Sequence, residues 1–336
     1  MSVLRSAAVA ISAVLAGSVI TGISPAAAQS SSCVATELRL PAGMPSNVFA
    51  SLNASDSTGR YQVGSVQIDD VGTQRPLFWT DGGEPQVLEP LAGDRTTVFD
   101  VNKHGTVLGE TWDAAGAGQL WLYSQGTVRK LKAPAHTAGL TARALNDRGD
   151  VVGYGFDSVA DRTVPIVWPA GGKPVLLRAS ASAYAVDINE NGVIVGSTWN
   201  DAGETGIVWK HWDATPVPVS GEAGADVSLT GIRGNWMIGI QTLSDGSLIG
   251  GRWQLGTPQG VSFPKILDAV NGSGDVAYLT DDGRTVVARP DGTQYEINAA
   301  GYNTVEYLFE RGQAYDAAGD RDYGFARAVL WSGCAG

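Results

Sequence analysis

The sequence predicts an all-β protein, a seven-bladed β-propeller of four-stranded blades whose ring is closed by the N-terminal strand joining the last blade. Three observations predict this fold. A turn-and-strand motif recurs seven times, its copies lie 38 to 46 residues apart, and the repeats lack helical periodicity. A repeat of this length is typical of propellers and other repeat architectures. Four short strands per repeat make one propeller blade.

The first 28 residues predict a secretory signal peptide. Arg5 begins it, residues 7–23 are uncharged and mostly apolar, and three alanines at 26–28 form the small-residue cleavage pattern. A membrane anchor is the alternative interpretation. We expect an exported, soluble product in which residues 29–336 form a single propeller domain, with residues 33–40 as the closing strand.

Composition and charge restrict the class of partner. The chain has 336 residues, of which 43% are hydrophobic and 17% charged, so it has the composition of a folded globular protein. Its net charge is −11, and removing Arg5 with the signal leaves 22 − 34 = −12. A balance this acidic argues against nucleic acid or an anionic membrane as partner. We expect a monomer whose partner is an extracellular glycan, a cationic small molecule or a protein.

The repeat has the form Asn-x-x-Gly-x-Val-x-Gly. Its clearest copies are residues 102–109 (NKHGTVLG), 146–153 (NDRGDVVG) and 189–196 (NENGVIVG). The turn glycines of all seven copies stand at positions 59, 105, 149, 192, 234, 274 and 312. Glycine suits such turns because it tolerates the left-handed backbone conformation.

An aromatic residue ends the third apolar run of most repeats. The positions are Trp79, Tyr123, Trp168, Trp209, Trp253 and Trp331, with Arg289 in the sixth repeat. We expect one large side chain per blade to pack against the neighbouring blade. A ladder of ligand-binding rings is the less favoured interpretation.

The seventh repeat supplies three strands, and the missing fourth is found at the other end of the mature chain. Residues 34–40 alternate like an outer strand and are predicted to pair with residues 326–331. Cys33 then lies just before one strand and Cys334 just after the other. Exported proteins keep disulfides, so we predict a Cys33–Cys334 bond that staples the closing blade.

The repeat resembles a known family. An aliphatic strand, Asn-Asp-x-Gly-x-Val-Val-Gly and an aliphatic run ending in Trp, best seen in residues 144–153 with 164–168, are similar to the HAF extracellular repeat. The resemblance covers most of residues 42–331. It implies an exported propeller and transfers no catalytic residue.

The loops between second and third strands form a predicted acidic rim. Thirteen acids fall in these loops: Asp69, Asp70, Asp113, Asp157, Asp161, Asp201, Glu204, Asp245, Asp281, Asp282, Asp316, Asp320 and Asp322. Three consecutive blades add an aromatic ring there, namely Trp112, Phe156 and Trp199. Rings beside carboxylates suit a sugar or an amine. The alternatives are turn-forming aspartates and rings that cap their own blades.

The innermost strands contribute Asp100 and Asp187 two residues before the turn asparagine, with Arg143 and Asp268 one place earlier. Channel carboxylates could act as acid and base, whereas aspartates near a turn commonly bind backbone N–H groups. Residues 187–192 imitate the start of a calcium loop, but position 198 is Thr where a bidentate Glu is needed. We therefore expect no metal site and no cofactor.

Three functions fit these features. The favoured one is a non-enzymatic module that binds a carbohydrate or cationic ligand at a rim site of Trp112, Asp113, Phe156, Asp157, Trp199, Asp201 and Glu204. The first alternative is a glycoside hydrolase or lyase that uses Asp100 and Asp187. The second is a structural protein-interaction module. Sequence motifs for serine hydrolases, zinc peptidases and phosphate loops do not occur.

Overall fold

The computed structural model describes residues 29–30, 33–45, 48–68, 73–89, 91, 93, 95–257, 259–297, 305–309, 315–322 and 326–334. The predicted signal peptide lies outside the described residues. Every helix or strand in the described part of the chain is a β-strand, so the all-β prediction is confirmed. Within these ranges, no helix has the length and apolar character that a membrane span requires.

The strands follow the repeats closely. The first ten are β1 (Gln29–Ser30), β2 (Val34–Glu37), β3 (Ala50–Ser55), β4 (Tyr61–Gln67), β5 (Gln74–Thr80), β6 (Gln86–Val87), β7 (Arg95–Val101), β8 (Val107–Trp112), β9 (Gly118–Ser124) and β10 (Thr127–Lys130). The next eight are β11 (Thr137–Leu145), β12 (Val151–Asp157), β13 (Arg162–Trp168), β14 (Val175–Leu176), β15 (Ser182–Ile188), β16 (Ile194–Asn200), β17 (Gly203–Trp209) and β18 (Val217–Pro218). The remaining strands are β19 (Asp226–Arg233), β20 (Trp236–Thr242), β21 (Leu248–Gln254), β22 (Val261–Phe263), β23 (Ala269–Val270), β24 (Val276–Leu279), β25 (Thr285–Ala288), β26 (Gln294–Ile297), β27 (Tyr307–Leu308), β28 (Tyr315–Asp322) and β29 (Ala326–Cys334).

These strands divide into seven sheets. Sheets 1 to 5 each contain four consecutive antiparallel strands, beginning with β3, β7, β11, β15 and β19. Sheet 6 contains β23 to β26, and β1 adds to its outer edge in parallel. Sheet 7 contains β27, β28 and β29, with β2 as its fourth strand. Repeated four-stranded antiparallel sheets are the architecture of a β-propeller, and that prediction is confirmed.

The Asn-x-x-Gly motif forms the turn between the first and second strands of a sheet. In sheet 3, Oδ1 of Asn146 accepts the backbone N–H of Arg148 at 3.1 Å and that of Asp150 at 3.0 Å. Gly149 has a φ of 86°, which favours glycine. Equivalent bonds are made by Asn102, Asn189 and Asn271. The motif is therefore a side-chain-capped turn.

Buried apolar side chains lie between neighbouring sheets. In the described part of the chain they form seven clusters, each drawn from two consecutive sheets. One of these clusters joins sheets 7 and 1, because it contains Leu52 and Leu77 of sheet 1 together with Phe309 and Ala328. The first sheet in the chain thus packs on the last.

Tryptophans dominate these interfaces. The largest fully buried side chains are Trp79, Trp121, Trp168, Trp209, Trp253 and Trp331. In four sheets the indole Nε1 donates to the carbonyl oxygen two residues beyond the outer strand of the preceding sheet. The pairs are Trp79 with Arg39 (2.7 Å), Trp168 with Lys132 (2.8 Å), Trp209 with Arg178 (2.8 Å) and Trp253 with Ser220 (2.9 Å). Each ring thus both fills and hydrogen-bonds an interface.

In sheet 2 the fully buried ring is not the predicted Tyr123. Tyr123 occupies the expected register but is only partly buried, and Trp121 is the fully buried ring. Side chains two residues apart on a strand share a face, so both can point into the same interface. The Trp121 indole donates to Oγ1 of Thr111 at 3.0 Å.

The two ends of the described chain meet in sheet 7. Strand β2 pairs antiparallel with β29, with Val34 opposite Ser332 and Glu37 opposite Val329. The Leu38 N–H continues the pairing by donating to the Ala328 carbonyl at 2.9 Å. Cys33 is partly buried against the apolar cluster between sheets 6 and 7. The backbone of Cys334 belongs to β29, but its side chain is not among those that the structure describes.

Candidate functional site: the central channel

Five inner strands carry a β-bulge at the same place. In β3, β7, β11, β15 and β19 one residue is skipped in the pairing with the next strand. A bulge redirects the side chain of its extra residue and is common near functional sites. The extra residues are Asn53, Phe99, Arg143, Val186 and Thr230, and all five line one cavity.

This cavity lies on the central channel, because residues from the inner edge of all seven sheets line it. Its volume is about 460 Å³, within the range of small-molecule sites, roughly 300–1,000 Å³. Sheets 6 and 7 contribute the residues directly before β23 and β27, which are Asp268 and Glu306. We name these seven positions the channel ring: Asn53, Phe99, Arg143, Val186, Thr230, Asp268 and Glu306.

Charge is unevenly placed around the channel ring. Asp268 and Glu306 occupy neighbouring sheets 6 and 7, and Arg143 occupies sheet 3. Because consecutive sheets pack on each other and sheet 7 packs on sheet 1, Arg143 lies three sheets from each acid. Two other sheets therefore stand between Arg143 and each acid around the cavity.

The surroundings of the two acids shift their ionisation in the same direction. Burial raises the pKa of Asp268 to about 6, and the negative charge of Glu306 adds to the effect. Burial also raises the pKa of Glu306. Both side chains are open to the channel, although protein surrounds them on the other sides. Carboxylates of neighbouring sheets, of which one raises the proton affinity of the other in this way, favour a shared positive counter-charge.

Asp187 is held in place by its neighbours. Its Oδ1 accepts the Ile188 N–H at 2.8 Å, and its Oδ2 accepts the Ile232 N–H at 2.8 Å. Oδ2 also binds Nη1 of Arg233 at 2.7 Å, and that nitrogen donates to the Ile232 carbonyl at 2.8 Å. The Asp187 charge raises the pKa of Arg233 above its usual range. This carboxylate therefore ties sheet 4 to sheet 5.

Asp100 makes the same kind of contact two interfaces away, between sheets 2 and 3. It accepts the N–H of Val101 at 2.8 Å and that of Leu145, in the next sheet, at 2.7 Å. Burial raises its pKa to about 7, although Arg233 acts in the opposite direction. Both candidate catalytic aspartates thus bind backbone N–H groups, which is the structural alternative that the sequence left open.

A polar layer divides the channel. Asp100, Arg233 and Tyr307 line the main cavity and also a second one of about 40 Å³, which lies among the Asn-x-x-Gly turns. Burial raises the pKa of Tyr307, and the Asp100 charge adds to the effect, so the phenol stays protonated. This layer forms the floor of the main cavity.

The three rim aromatics occupy equivalent positions, each opposite the beginning of the first strand of its sheet. Trp112 pairs with Arg95, Phe156 with Ala138 and Trp199 with Ser182. Their surroundings differ. The Arg95 guanidinium lies 4.3 Å from the Trp112 ring centre, whereas Phe156 is 45% exposed and Trp199 62% exposed.

Two rim aspartates form turns. Asp113 accepts the N–H groups of Ala115 and Ala117, each at 2.9 Å. Asp157 accepts those of Val159 at 2.8 Å and Ala160 at 3.2 Å, and these bonds lower its pKa.

The remaining two rim acids differ from these. Asp201 is exposed. Glu204 accepts a short hydrogen bond from the Tyr184 hydroxyl and borders a separate surface depression between sheets 4 and 5. None of the seven rim candidates, all within the described ranges, lines the channel cavity.

Sequence reasoning identified Arg143, Asp187 and Asp268 as inner-strand residues but missed Glu306 and Arg233. A signal for Glu306 was available, because it stands six residues before turn glycine 312, as Asp268 stands six before glycine 274. Arg233 stands directly before turn glycine 234, in a weak copy of the motif without its asparagine, and nothing in that position indicated a channel residue. Across the described part, no group of three or more potential metal ligands occurs.

The fold is similar to that of several solved structures. An oligogalacturonate lyase from Vibrio parahaemolyticus matches with a TM-score of 0.63 and 8% identity, over 90% of this chain and 98% of that one. The β-propeller domain of the Trilobed protease from Pyrococcus furiosus matches with a TM-score of 0.55 and 9% identity, over 84% and 95%. A puromycin-hydrolyzing peptidase from Mycobacterium tuberculosis matches with a TM-score of 0.55 and 15% identity, over 87% and 54%.

At these identities the likeness shows the β-propeller fold alone. This chain spans about half the length of the peptidases that it matches. No protein-family model matches the sequence, and no match is found among curated proteins.

Proposed function

We propose that this chain is an exported β-propeller that binds a small cationic ligand in its central channel. The observation that carries the proposal is the pair Asp268 and Glu306, two neighbouring carboxylates open to one cavity. Among the described residues, neither forms an ion pair with a cationic side chain. A ligand ammonium would supply the missing counter-charge.

The balance of charge in the cavity supports the same ligand class. Four carboxylates line it, those of Asp100, Asp187, Asp268 and Glu306, against the guanidiniums of Arg143 and Arg233. Arg233 is already bound by Asp187. A cleft with an excess of one sign, walled by protein, concentrates ligands of the opposite sign.

A neutral carbohydrate at the rim is a second candidate. Trp199 exposes most of its surface, and Phe156 on the adjacent sheet exposes nearly half of its surface. Aromatic rings on a protein surface suit stacking on a sugar face. Trp112 supports this candidate less, because the Arg95 guanidinium already covers its ring.

The hydrolase or lyase alternative has weaker support. Asp100 and Asp187 each accept two backbone N–H bonds, so both carboxylates are committed to structure. The lyase and peptidase activities in the names of similar structures belong to those proteins. The structural-module alternative predicts that no small ligand binds in the channel.

We further propose that the seven sheets are seven blades of a closed ring, completed by β2. The packing of sheet 1 on sheet 7 and the bond from Trp79 to the Arg39 carbonyl, just beyond β2, support closure. A Cys33–Cys334 disulfide fits this arrangement, since Val34 lies opposite Ser332 and no free thiol occurs among the described cysteines. Export by residues 1–28 and membership of the HAF-repeat family remain parts of the proposal.

The test is calorimetric titration of the mature protein with hexylamine and, separately, with galactose. Hexylamine should bind, and its affinity should fall between 0.1 M and 1 M salt, because the Debye length shrinks from about 10 Å to about 3 Å. Asp268→Asn and Glu306→Gln should each weaken it, whereas Asp213→Asn, an exposed carboxylate elsewhere, should not. Salt-insensitive binding of galactose that is lost in Trp199→Ala would favour the rim instead.

A further inference from the structure

We infer that the channel ligand is a zwitterion of the ω-amino acid type, with an ammonium held by Asp268 and Glu306 and a carboxylate held by Arg143. This inference rests on the proposed function and specifies the ligand further. It follows from what lies opposite the two acids in the channel ring.

Arg143 is the cationic member of the channel ring. Its position in the bulge of β11 directs it to the cavity, and its side chain is exposed there. No carboxylate within the described ranges forms an ion pair with it. A guanidinium offers a planar fork of donors that matches a carboxylate with two parallel hydrogen bonds. Arg143 is therefore equipped to bind an anionic group.

Arg233 cannot take this role in the same way. Its Nη1 binds both Oδ2 of Asp187 and the carbonyl oxygen of Ile232. It also belongs to the polar layer at the floor of the cavity. Of the two guanidiniums that line the cavity, Arg143 alone combines exposure with a position in the channel ring.

The spacing between the ligand's two charges follows from the sheet order. Arg143 in sheet 3 faces the acids of sheets 6 and 7 across a cavity of about 460 Å³. A ligand that touches both sides needs its ammonium and carboxylate separated by a spacer. An α-amino acid holds these two groups on one carbon, which is too short to reach across.

The neighbours of Arg143 indicate the chemistry of the spacer. Phe99 and Val186, from the sheets on either side, are the two apolar members of the channel ring. They provide a surface for methylene groups and lower the polarity around the guanidinium, which strengthens its attraction for a carboxylate. Asn53 and Thr230 separate this apolar side from the acids.

The test compares four probes by calorimetric titration at 0.1 M salt: 6-aminohexanoate, hexylamine, hexanoate and glycine. We expect 6-aminohexanoate to bind about 10-fold or more tightly than hexylamine, since it adds a charge-assisted contact. Hexanoate and glycine should bind more weakly than 6-aminohexanoate. In Arg143→Gln, 6-aminohexanoate should bind no more tightly than hexylamine, and hexylamine itself should bind at least as well as in the wild type.

The outcomes separate the two claims. If hexylamine binds but 6-aminohexanoate binds no more tightly, or if Arg143→Gln leaves their ratio unchanged, the zwitterion inference is wrong and the cation site stands. If neither amine binds, or if Asp268→Asn and Glu306→Gln leave amine binding intact, the proposed function fails with it. The urea midpoint of each variant shows whether a lost affinity reflects unfolding.

Discussion

The side-chain amide of Asn146 donates a hydrogen bond to the backbone carbonyl of Asn189, 43 residues later, at 3.2 Å. The same bond joins Asn102 to Asn146 at 3.1 Å and Asn189 to Gly234 at 2.6 Å. The asparagine side chain therefore accepts hydrogen bonds within its own turn and donates one to the turn of the next sheet. This double role explains why the asparagine recurs with the turn glycine.

We predict that Asn146→Ala lowers the free energy of unfolding by about 1–3 kcal/mol, because it leaves buried backbone groups without partners. Asn191→Ala is the matched control. Asn191 lies exposed in the neighbouring turn and contributes its backbone N–H there, so this change should stay within about 0.5 kcal/mol of the wild type. Urea unfolding measures both, and equal losses would contradict a stabilising role for the Asn146 side chain.

Two tryptophans of sheet 4 should respond very differently to truncation. Trp209 is fully buried and bonded to the Arg178 carbonyl, so Trp209→Ala should cost about 3–5 kcal/mol of stability. Trp199 is 62% exposed, and Trp199→Ala should change the unfolding midpoint little. A large loss of stability in Trp199→Ala would show that this ring packs on its own sheet, and the rim candidate would be abandoned.

The stability contributed by Asp100 should decrease as the pH rises from about 4 to about 7. Its pKa in the folded protein is raised from 3.8 to about 7 by burial, so the folded state holds a proton in this range that the unfolded state has lost. The unfolding free energy of the wild type, relative to Asp100→Asn, should therefore be lower at pH 7.5 than at pH 4.5.

Asp157 provides a contrast of opposite sign. Backbone hydrogen bonds lower its pKa in the folded state, so its contribution should be present above pH 4 and disappear on acidification. Chemical unfolding of the wild type, Asp100→Asn and Asp157→Asn from about pH 2.5 to about pH 7.5 covers both transitions and compares them directly. Parallel pH dependences for the two variants would refute the assignment.

The closing strand makes the proposed disulfide testable. Non-reducing peptide mapping should recover Cys33 and Cys334 in one linked pair. Replacing both with serine should lower stability by about 2–5 kcal/mol, as expected for a native bond that closes a long loop. Recovery of two free thiols would show that the disulfide is absent, although the pairing of β2 with β29 does not depend on it.

Much of the fold could be predicted because its strongest signals are local. The Asn-x-x-Gly turn needs only its own backbone, and the tryptophan at the end of the third strand recurs at a fixed register. The first repeat was harder to recognise, since Asp56 replaces the asparagine and accepts the N–H groups of Thr58 and Tyr61 at 2.8 and 2.6 Å. The choice of Trp121 over Tyr123 depended on packing between sheets, which a strand pattern does not contain.

The candidate site was less predictable because it depends on the ring as a whole. The composition of the acidic loops predicted a binding site at the rim. In the structure, Asp113 and Asp157 instead accept backbone N–H groups of their own turns. Asp268 and Glu306 are 38 positions apart, and only the sheet order brings them together opposite Arg143. The bulge that points Arg143 inward is a pairing irregularity of the structure and could not be recognised from the residue types in its strand.

The most direct test of the channel site is hexylamine binding to the mature wild type and to the double variant Asp268→Asn, Glu306→Gln, at pH 7.5 and 0.1 M salt. Both acids face the cavity and neither forms an ion pair with a described cationic side chain, so their neutral replacements should keep the fold. We predict measurable binding to the wild type and loss of at least about 10-fold in affinity in the double variant, with an unchanged urea midpoint. Equal affinity for the two proteins would contradict the proposal that this pair of carboxylates is the binding site.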